Sequence, residues 1–271
     1  RRGQLAAALG IRPLAFKLAF GHINEVVLAD EHGPHRLRQR LAEELVQRTV
    51  LLQPGAHIRG RQAGRAQGDA LAVGLLQRYG GEAKLLAGGH SLLPTMKMRL
   101  TEPQALIDLG RVSGLQGARQ EGDTLVIGGM TRHYQVLSSP LVQQLAPLVA
   151  ETAAWIGDQQ VRNRGTMGGS VANNDPAADY PSAVLALNAT VITNKREIAA
   201  DDFFQGMFAT ALEEGEIVVR FAYPLPKRAA YEKFPHPASG YAMAGVFIAE
   251  TKSGVRVAVT GAGPGVFRWS D

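Results

Sequence analysis

Residues 83–91, Ala-Lys-Leu-Leu-Ala-Gly-Gly-His-Ser, join a short apolar strand directly to a loop that contains two glycines. Glycine has no Cβ, so it reaches positive φ without penalty and lets backbone N–H groups surround an anion as a concave nest. A second glycine pair stands far along the chain in residues 166–170, Thr-Met-Gly-Gly-Ser. We call residues 87–91 the first glycine stretch and residues 166–170 the second. Together they predict two bare-amide surfaces that hold the pyrophosphate of a dinucleotide.

Each glycine stretch also has an ordinary structural explanation. Glycine pairs occur in many tight turns, so the first stretch is equally typical of a strand-to-helix turn and the second of a helix-to-strand turn. Neither matches the G-x-G-x-x-G pattern of a Rossmann fold. Because two separate stretches share the same donor-rich character, with a serine or threonine beside each glycine pair, we favour the pyrophosphate site.

The composition is that of a globular protein with room for a cofactor cleft. The chain has 271 residues, of which 45% are hydrophobic and 20% charged, and no apolar run reaches the roughly 18 to 20 residues of a membrane span. It has no cysteine, so any iron-sulfur cluster must belong to a partner. The histidines show no zinc-binding spacing. We therefore expect no metal site in this chain.

The positive charge is concentrated at one end. Residues 1–65 contain 11 Lys and Arg against 5 Asp and Glu, whereas the whole chain has 29 against 24. The remainder is therefore balanced, and no basic and aromatic residues alternate in the way that nucleic-acid surfaces require. The sequence does not favour nucleic-acid binding.

Hydrophobic periodicity and turn residues predict alternating helices and strands. The predicted helices cover residues 34–50, 69–79, 131–138 with a threonine cap, 141–156 and 182–187, with a further helix start at 201–204. The predicted strands cover residues 83–86, 105–109, 124–128, 189–193, 216–223, 231–234, 242–250 and 255–261. Residues 157–164 are too polar for a core element and are expected to form a surface or cleft-lining turn.

Three segments resemble the FAD-binding medium subunit of the molybdenum hydroxylases. They are residues 84–100 (KLLAGGHSLLPTMKMRL), 157–181 (GDQQVRNRGTMGGSVANNDPAADYP) and 231–244 (YEKFPHPASGYAMA), in the order and spacing of that family. Within the family the aerobic carbon monoxide dehydrogenase group is the most similar, and the FAD domain of xanthine dehydrogenase is related. The resemblance runs from about residue 69 to residue 271.

The resemblance implies an α+β fold in which two subdomains enclose FAD. Residues 66–120 would form a small α/β subdomain and residues 121–228 a larger α+β subdomain. Residues 229–271 would begin a C-terminal subdomain with a three-stranded sheet, which is cut short. Residues 1–65 are expected to be an atypical extension, and their Arg, Ala, Gly and Leu bias suggests that they are not native to the fold.

The family's cofactor-binding residues carry over by motif. The first glycine stretch and the strand before it would hold the pyrophosphate from one side and the second stretch from the other, with three further residues along the cofactor. The expected cofactor-binding residues are Lys84, Ala87, Gly88, Gly89, His90, Ser91, Thr166, Gly168, Gly169, Ser170, Asp179, Lys233 and Tyr241.

Three of these residues keep alternative explanations. Asp179 would contact the adenosine end of FAD or cap a helix. Lys233 would place a positive charge near the flavin or lie exposed on a strand. Tyr241 would lie beside the isoalloxazine ring or pack into the core. Relatives often have arginine where Gly240 stands, so one contact near the flavin is expected to be missing.

The implied activity is that of an oxidoreductase subunit with no catalytic acid or nucleophile. Electrons released at a molybdenum centre in a large subunit would pass through iron-sulfur clusters in a small subunit to FAD, and then to a quinone-linked carrier or NAD. We expect a cytoplasmic protein, either free or at the inner face of the membrane. The alternative is a non-catalytic adaptor or nucleotide-binding module whose glycine turns are only structural.

Overall fold

One helix packs on a two-stranded parallel sheet to build the first part of the fold. The computed structural model describes residues 65–112 and 114–269. Helix α1 (Arg65–Tyr79) ends in a 3₁₀ turn at Gly80–Glu82, and strand β1 (Ala83–Leu86) then runs parallel to β2 (Ala105–Asp108). A short helix, α2 (Leu92–Lys97), lies between the two strands. Ala72, Ala83 and Ile107 share a small apolar core with neighbouring side chains.

A five-stranded antiparallel sheet forms the centre of the larger core. Its strands in spatial order are β3 (Ala118–Glu121), β4 (Thr124–Gly128), β9 (Val218–Pro224), β5 (Thr190–Thr193) and β6 (Glu197–Ala199). A small hairpin of β7 (Phe204–Gly206) and β8 (Ala209–Thr210) follows it. Leu125, Ile127 and Phe221 are fully buried on this sheet, so its strands anchor the core.

Short helices cover that sheet and lead to the functional residues. They are α3 (His133–Ser138), α4 (Pro140–Leu145), α5 (Pro147–Ala154), α6 (Gln159–Arg164), α7 (Met167–Asn173), α8 (Tyr180–Ala186) and α9 (Ala200–Phe203). Every side chain of α8 is buried, which makes it the central helix of the core.

A second antiparallel sheet, formed by the last four strands of the described chain, packs on α8. Its strands are β10 (Arg228–Pro235), β11 (Ala242–Thr251), β12 (Gly254–Thr260) and β13 (Phe267–Trp269). The sheet has four strands where three are expected, because β13 pairs with the edge of β12. Arg256 of β12 is buried and donates to the Leu185 carbonyl and to Asp201, so it ties this sheet to α8.

The predicted long helix over 141–156 is wrong. Ala146 leaves the helical region at φ −145° and ψ 67°, so the chain forms α4 and α5 instead. Proline restricts the residue before it to extended conformations, and Pro147 therefore separates the two helices.

Three local predictions also need correction. Residues 92–97, expected as connection between two strands, form α2, and residues 159–164, expected as a turn, form α6 with Asp158 accepting from the Val161 amide. Thr131 does not cap α3, because its hydroxyl bonds to Gly117.

The α+β class is confirmed, and the strands predicted over 83–86 and 124–128 coincide with β1 and β4. The predicted helix over 34–50 lies outside the described residues, and so does the predicted extension over 1–65 except for its last residue. The subdomain boundaries remain a prediction.

Candidate functional site

The two glycine stretches lie on the wall of one cavity. Its volume is about 890 Å³, which is in the upper part of the usual range for ligand and cofactor sites. Every residue expected from the sequence to bind the cofactor lines this cavity: Lys84, Ala87, Gly88, Gly89, His90, Ser91, Thr166, Gly168, Gly169, Ser170, Asp179, Lys233 and Tyr241. The fold therefore brings together residues from β1, α7, α8 and the second sheet.

The first glycine stretch packs directly against the chain that precedes the second one. A Cβ atom on Gly88 would overlap the Arg164 carbonyl oxygen and would lie 2.7 Å from Gly165 Cα. On the other side, a Cβ on Gly169 would lie 3.5 Å from the Cβ of Ala87. The absence of a side chain at Gly88 thus allows the first glycine stretch to approach residues 164 and 165 closely.

The amides of the first glycine stretch are available to a ligand. Gly89 adopts φ +78°, and its carbonyl accepts from Leu93 as α2 begins. The amides of Gly88, Gly89, His90 and Ser91 have no protein acceptor within residues 65–112 and 114–269. Four consecutive free N–H groups at a cavity wall can surround an anion, as the sequence predicts.

The amides of Met167 to Ser170 in the second glycine stretch all have protein acceptors, so the prediction of bare amides is wrong for these four residues. This stretch is the first turn of α7, not a loop, with Thr166 as N-cap. The Gly169 amide donates to Thr166 Oγ1 at 3.1 Å, and the Ser170 amide donates to the Thr166 carbonyl at 3.0 Å. The cap that begins the helix therefore uses the donors that the sequence assigns to a ligand.

The remaining amides of this turn bond to the chain after β4. Met167 donates to the Thr131 carbonyl at 3.0 Å and Gly168 to the Gly129 carbonyl at 2.7 Å. A Cβ on Gly168 would lie 2.6 Å from that Gly129 oxygen, so glycine is needed for the contact. The Ser170 hydroxyl has no protein partner among the described residues and remains the polar group that this turn offers to the cavity.

Lys233 and Asp179 form a buried ion pair in the cavity wall. Lys233 Nζ lies 2.9 Å from Asp179 Oδ1 and 3.0 Å from Oδ2, and it also donates to the Trp155 carbonyl at 3.1 Å. The Tyr231 hydroxyl donates to the same carboxylate. The side chains of Lys233 and Asp179 are only 1% and 6% exposed. Burial raises the pKa of Asp179, while Lys233 and the hydrogen bonds oppose the shift.

These contacts exclude two of the alternative explanations. Asp179 stands at the N-cap position of α8, but its side chain makes no capping hydrogen bond because Lys233 and Tyr231 occupy it. Lys233 is not an exposed strand lysine. Tyr241 does not pack into the core either, since its side chain is 53% exposed in a turn that adjoins the cavity.

His133 is a cavity residue that the sequence did not reveal. It is 4% exposed, its ring lies 5.3 Å from the ring of Tyr180, and its Nδ1 atom is buried without a hydrogen-bond partner. Burial, together with the charges of His90 and Arg162, lowers its pKa to about 3. A single histidine at the start of a short helix carries no sequence signal for this position.

Glu216 lines another part of the cavity wall, and the sequence did not reveal this residue either. Its carboxylate accepts from Thr193 Oγ1, Arg196 and the Glu213 amide. Burial would raise the pKa of Glu216, but the hydrogen bonds from Arg196, Glu213 and Thr193 outweigh it and hold the pKa at about 2. All three partners are distant in sequence or act through the backbone, so no local motif marks this carboxylate.

Two further properties concern the described part of the chain. Its His, Asp and Glu side chains form no group of three or more that could hold a metal ion. None of its helices combines the length and the apolar character that crossing a bilayer would require.

The sequence is similar to those of known proteins. Residues 65–226 match the family described as the FAD binding domain in molybdopterin dehydrogenase. The chain is 44% identical to the carbon monoxide dehydrogenase medium chain of Hydrogenophaga pseudoflava, over 73% of each chain. It is 39% identical to the nicotine 6-hydroxylase medium subunit of Paenarthrobacter nicotinovorans, over 67% of this chain and 68% of the relative.

The fold agrees with these relationships. The structure of reconstituted CO dehydrogenase from Oligotropha carboxidovorans superposes with a TM-score of 0.70 at 36% identity, and the match covers 74% of each chain. The family match includes both glycine stretches, at residues 87–91 and 166–170. This chain therefore belongs to the FAD-binding medium subunits of the molybdenum hydroxylases, as the flavoprotein component of an oxidoreductase.

Proposed function

We propose that this chain is the electron-transfer subunit of a molybdenum hydroxylase of the carbon monoxide dehydrogenase type, and that it holds FAD in the cavity between the two glycine stretches. The observation that carries the proposal is the row of four amides from Gly88 to Ser91, which have no acceptor among the described residues and belong to a cavity wall that also includes the first turn of α7. A diphosphate is the part of FAD that such a row of donors fits.

The cavity is suited to bind phosphates through amides more than through side-chain cations. Lys233 is compensated by Asp179, so it adds no net positive charge to the wall. Lys84 and His90 line the cavity, but so do the carboxylates of Asp158 and Asp175, and Asp158 is close enough to His90 to act on its pKa. We therefore assign the diphosphate to the amides of residues 88–91 and to the Ser170 hydroxyl, with Ala87, Gly168 and Gly169 allowing close approach.

The other predicted residues complete the site. Thr166 holds the first turn of α7 in place, and Asp179, Lys233 and Tyr241 line the rest of the cavity. Bound FAD supplies the exchange of electrons with a donor and an acceptor. The protein binds and orients the cofactor, and the buried pair of Lys233 and Asp179 fixes the wall of the site. No side chain needs to act as an acid or nucleophile.

The partners follow from the same proposal. The sequence has no cysteine, so iron-sulfur clusters that deliver electrons would be held by a small subunit, and the molybdenum centre by a large subunit. The names of the similar medium chains support a complex of this kind. The external acceptor would be a quinone-linked carrier or NAD, and the complex would work in the cytoplasm or at the inner face of the membrane.

The direct experiment is to titrate the purified chain with FAD and to repeat the titration on Gly89→Asp and Gly169→Asp. Each substitution adds a side chain and a negative charge beside the proposed diphosphate, so the dissociation constant should rise at least about tenfold. Gly74→Asp is the matched control, because a Cβ at Gly74 meets no atom within 4 Å.

A yellow protein that loses FAD only in the two cavity variants would support the proposal. A colourless parent that binds no FAD would overturn it and would favour the adaptor with structural glycine turns. If the parent binds FAD but the cavity variants bind it equally well, the assignment of the glycine stretches is wrong.

A further inference from the structure

His133 lines the same cavity as the first glycine stretch and packs against Gly165, at the junction between α6 and α7. Its amide donates to the Gly165 carbonyl at 3.0 Å, and the preceding residue, Arg132, forms an antiparallel bridge with Thr166. The backbone that leads into the second glycine stretch is therefore hydrogen-bonded to the start of α3.

The His133 ring also contacts Gly165 directly. A Cβ atom on Gly165 would overlap His133 Nε2 and would lie 2.7 Å from Cδ2. Gly165 Cα in turn lies against Gly88, since a Cβ on Gly88 would come within 2.7 Å of it. Gly165 thus lies between the imidazole ring and Gly88, the first residue of the row of free amides.

The His133 ring also packs against the ring of Tyr180. Tyr180 is fully buried at the start of α8, and its ring lies 5.3 Å from that of His133 at an angle of 58°. Neither His133 Nδ1 nor the Tyr180 hydroxyl has a hydrogen-bond partner in the described chain. The ring of His133 is therefore held by packing, between a rigid core residue and the glycine junction.

We infer that His133 is a positioning residue for the FAD diphosphate, which acts through Gly165 on Gly88 and so sets the distance between the two glycine stretches. The inference rests on the proposed function of the cavity. It assigns a role to a buried histidine that need not touch the diphosphate. Because packed residues in direct contact are energetically coupled, the stack of Tyr180, His133, Gly165 and Gly88 should behave as one unit.

A double-mutant cycle on FAD binding tests this role. Gly165→Ala adds a methyl group where the His133 ring stands, so the FAD dissociation constant should rise about tenfold or more. His133→Ala removes the support and should have a similar effect. In the double variant the new methyl group occupies space left by the ring, so the loss should be at least about fivefold smaller than the product of the two single losses.

Riboflavin distinguishes positioning from general loss of structure, because it lacks the diphosphate. The single variants should lose affinity for FAD and keep the parent's affinity for riboflavin, whereas a merely destabilised fold would weaken both. Tyr134→Ala is the matched control, because Tyr134 is the next residue of α3 and its side chain is 48% exposed. If His133→Ala does not fold, Gly165→Ala and His133→Gln carry the same comparison.

The outcomes separate the two proposals. A parent that binds no FAD contradicts the proposed function. A parent that binds FAD while Gly165→Ala and the His133 variants bind it with unchanged affinity contradicts the role of His133 alone. Strictly multiplicative losses in the double variant, or equal losses for riboflavin, would also overturn it.

Discussion

Lys233 of β10 and Asp179 at the start of α8 lie 2.9 Å apart as an ion pair with almost no exposure to solvent. The two residues are 54 positions apart in the chain, and Lys233 also reaches the Trp155 carbonyl at the end of α5. The pair therefore joins the second sheet to two helices of the main core, at the edge of the cofactor cavity.

Removing one member of this pair should destabilise the protein strongly. Lys233→Met leaves the Asp179 carboxylate buried without its cation, which costs about 3 to 5 kcal/mol in the free energy of unfolding. Lys227→Met is the control, because the Lys227 side chain is 69% exposed and its ion pair with Glu250 should contribute less than about 1 kcal/mol. Urea unfolding measures both values.

The double variant Lys233→Met with Asp179→Leu provides a second comparison. It removes both charges, so it should be more stable than Lys233→Met alone. Equal urea midpoints for Lys233→Met and Lys227→Met would show that the buried pair does not hold the sheet to the helices.

Gly88→Ala should weaken FAD binding although it introduces neither charge nor bulk beyond one methyl group. The methyl would overlap the Arg164 carbonyl, which is backbone and cannot rotate away, so the two glycine stretches must move apart. Overpacking of this kind costs about 1 to 3 kcal/mol, which corresponds to about a 5- to 150-fold rise in the FAD dissociation constant.

The control for this substitution is Gly74→Ala in α1, where the methyl group meets open space and alanine favours the helix. Flavin fluorescence titration of both variants gives the comparison. An FAD affinity of Gly88→Ala equal to that of Gly74→Ala would mean that the approach of Gly88 to Arg164 is not required by the site.

The parts of the fold that could be predicted depend on local signals. Residues 83–91 combine a β-type apolar run with a glycine pair, and the structure shows the predicted strand and the free amides there. The break between α4 and α5 was missed, since the helical periodicity of residues 141–156 outweighed a single proline. Hydrophobic periodicity also gave no indication of the six-residue helix α2.

The parts of the site that could not be predicted depend on contacts between distant segments. The amides of Met167 and Gly168 are used by carbonyls of Thr131 and Gly129, which no pattern within residues 166–170 can show. Lys233 looked like a free cation because Asp179 and Trp155 are far away in sequence. Tertiary hydrogen bonding therefore decides which of two similar glycine stretches has donors to offer.

His133 should make the free energy of unfolding depend on pH between about 6.5 and 3. Burial, with the charges of His90 and Arg162, lowers the pKa of His133 in the folded chain to about 3, below its ordinary value of 6.5. Between these two pKa values, His133 is therefore protonated in the unfolded chain but neutral in the folded chain. The contribution of His133 to the free energy of unfolding is complete above pH 6.5. It decreases as the pH falls below that value, by at most about 1.4 kcal/mol per pH unit.

His133→Phe removes the titrating group and keeps a ring at that position. Its unfolding free energy should decline less steeply than that of the parent between pH 6.5 and 5, as measured by urea unfolding. Parallel pH profiles for the parent and the variant would contradict a buried, neutral His133.

Glu216 should also make the free energy of unfolding depend on pH, but in a lower pH range than His133. Hydrogen bonds from Arg196, Glu213 and Thr193 overcome burial and hold its folded pKa at about 2, against an ordinary value of 4.5. The stabilisation is therefore complete above pH 4.5 and is lost as the pH falls from 4.5 toward 2, with a maximum of about 3 kcal/mol. In Glu216→Gln, urea unfolding should show lower stability at pH 7 and a flatter profile below pH 4.5. A variant that keeps the parent's slope in that range would contradict this role.

Hydrogen exchange of individual amides, measured by NMR on the full chain without and with FAD, shows directly whether the amides of residues 88–91 hold the diphosphate. The amides of residues 88–91 have no protein acceptor, whereas those of residues 167–170 already have one. We expect FAD to slow exchange at Gly88, Gly89, His90 and Ser91 by at least about tenfold, while Met167 to Ser170 are protected in both states. Exchange at residues 88–91 that stays fast in the FAD-bound protein would contradict the claim that these amides hold the diphosphate.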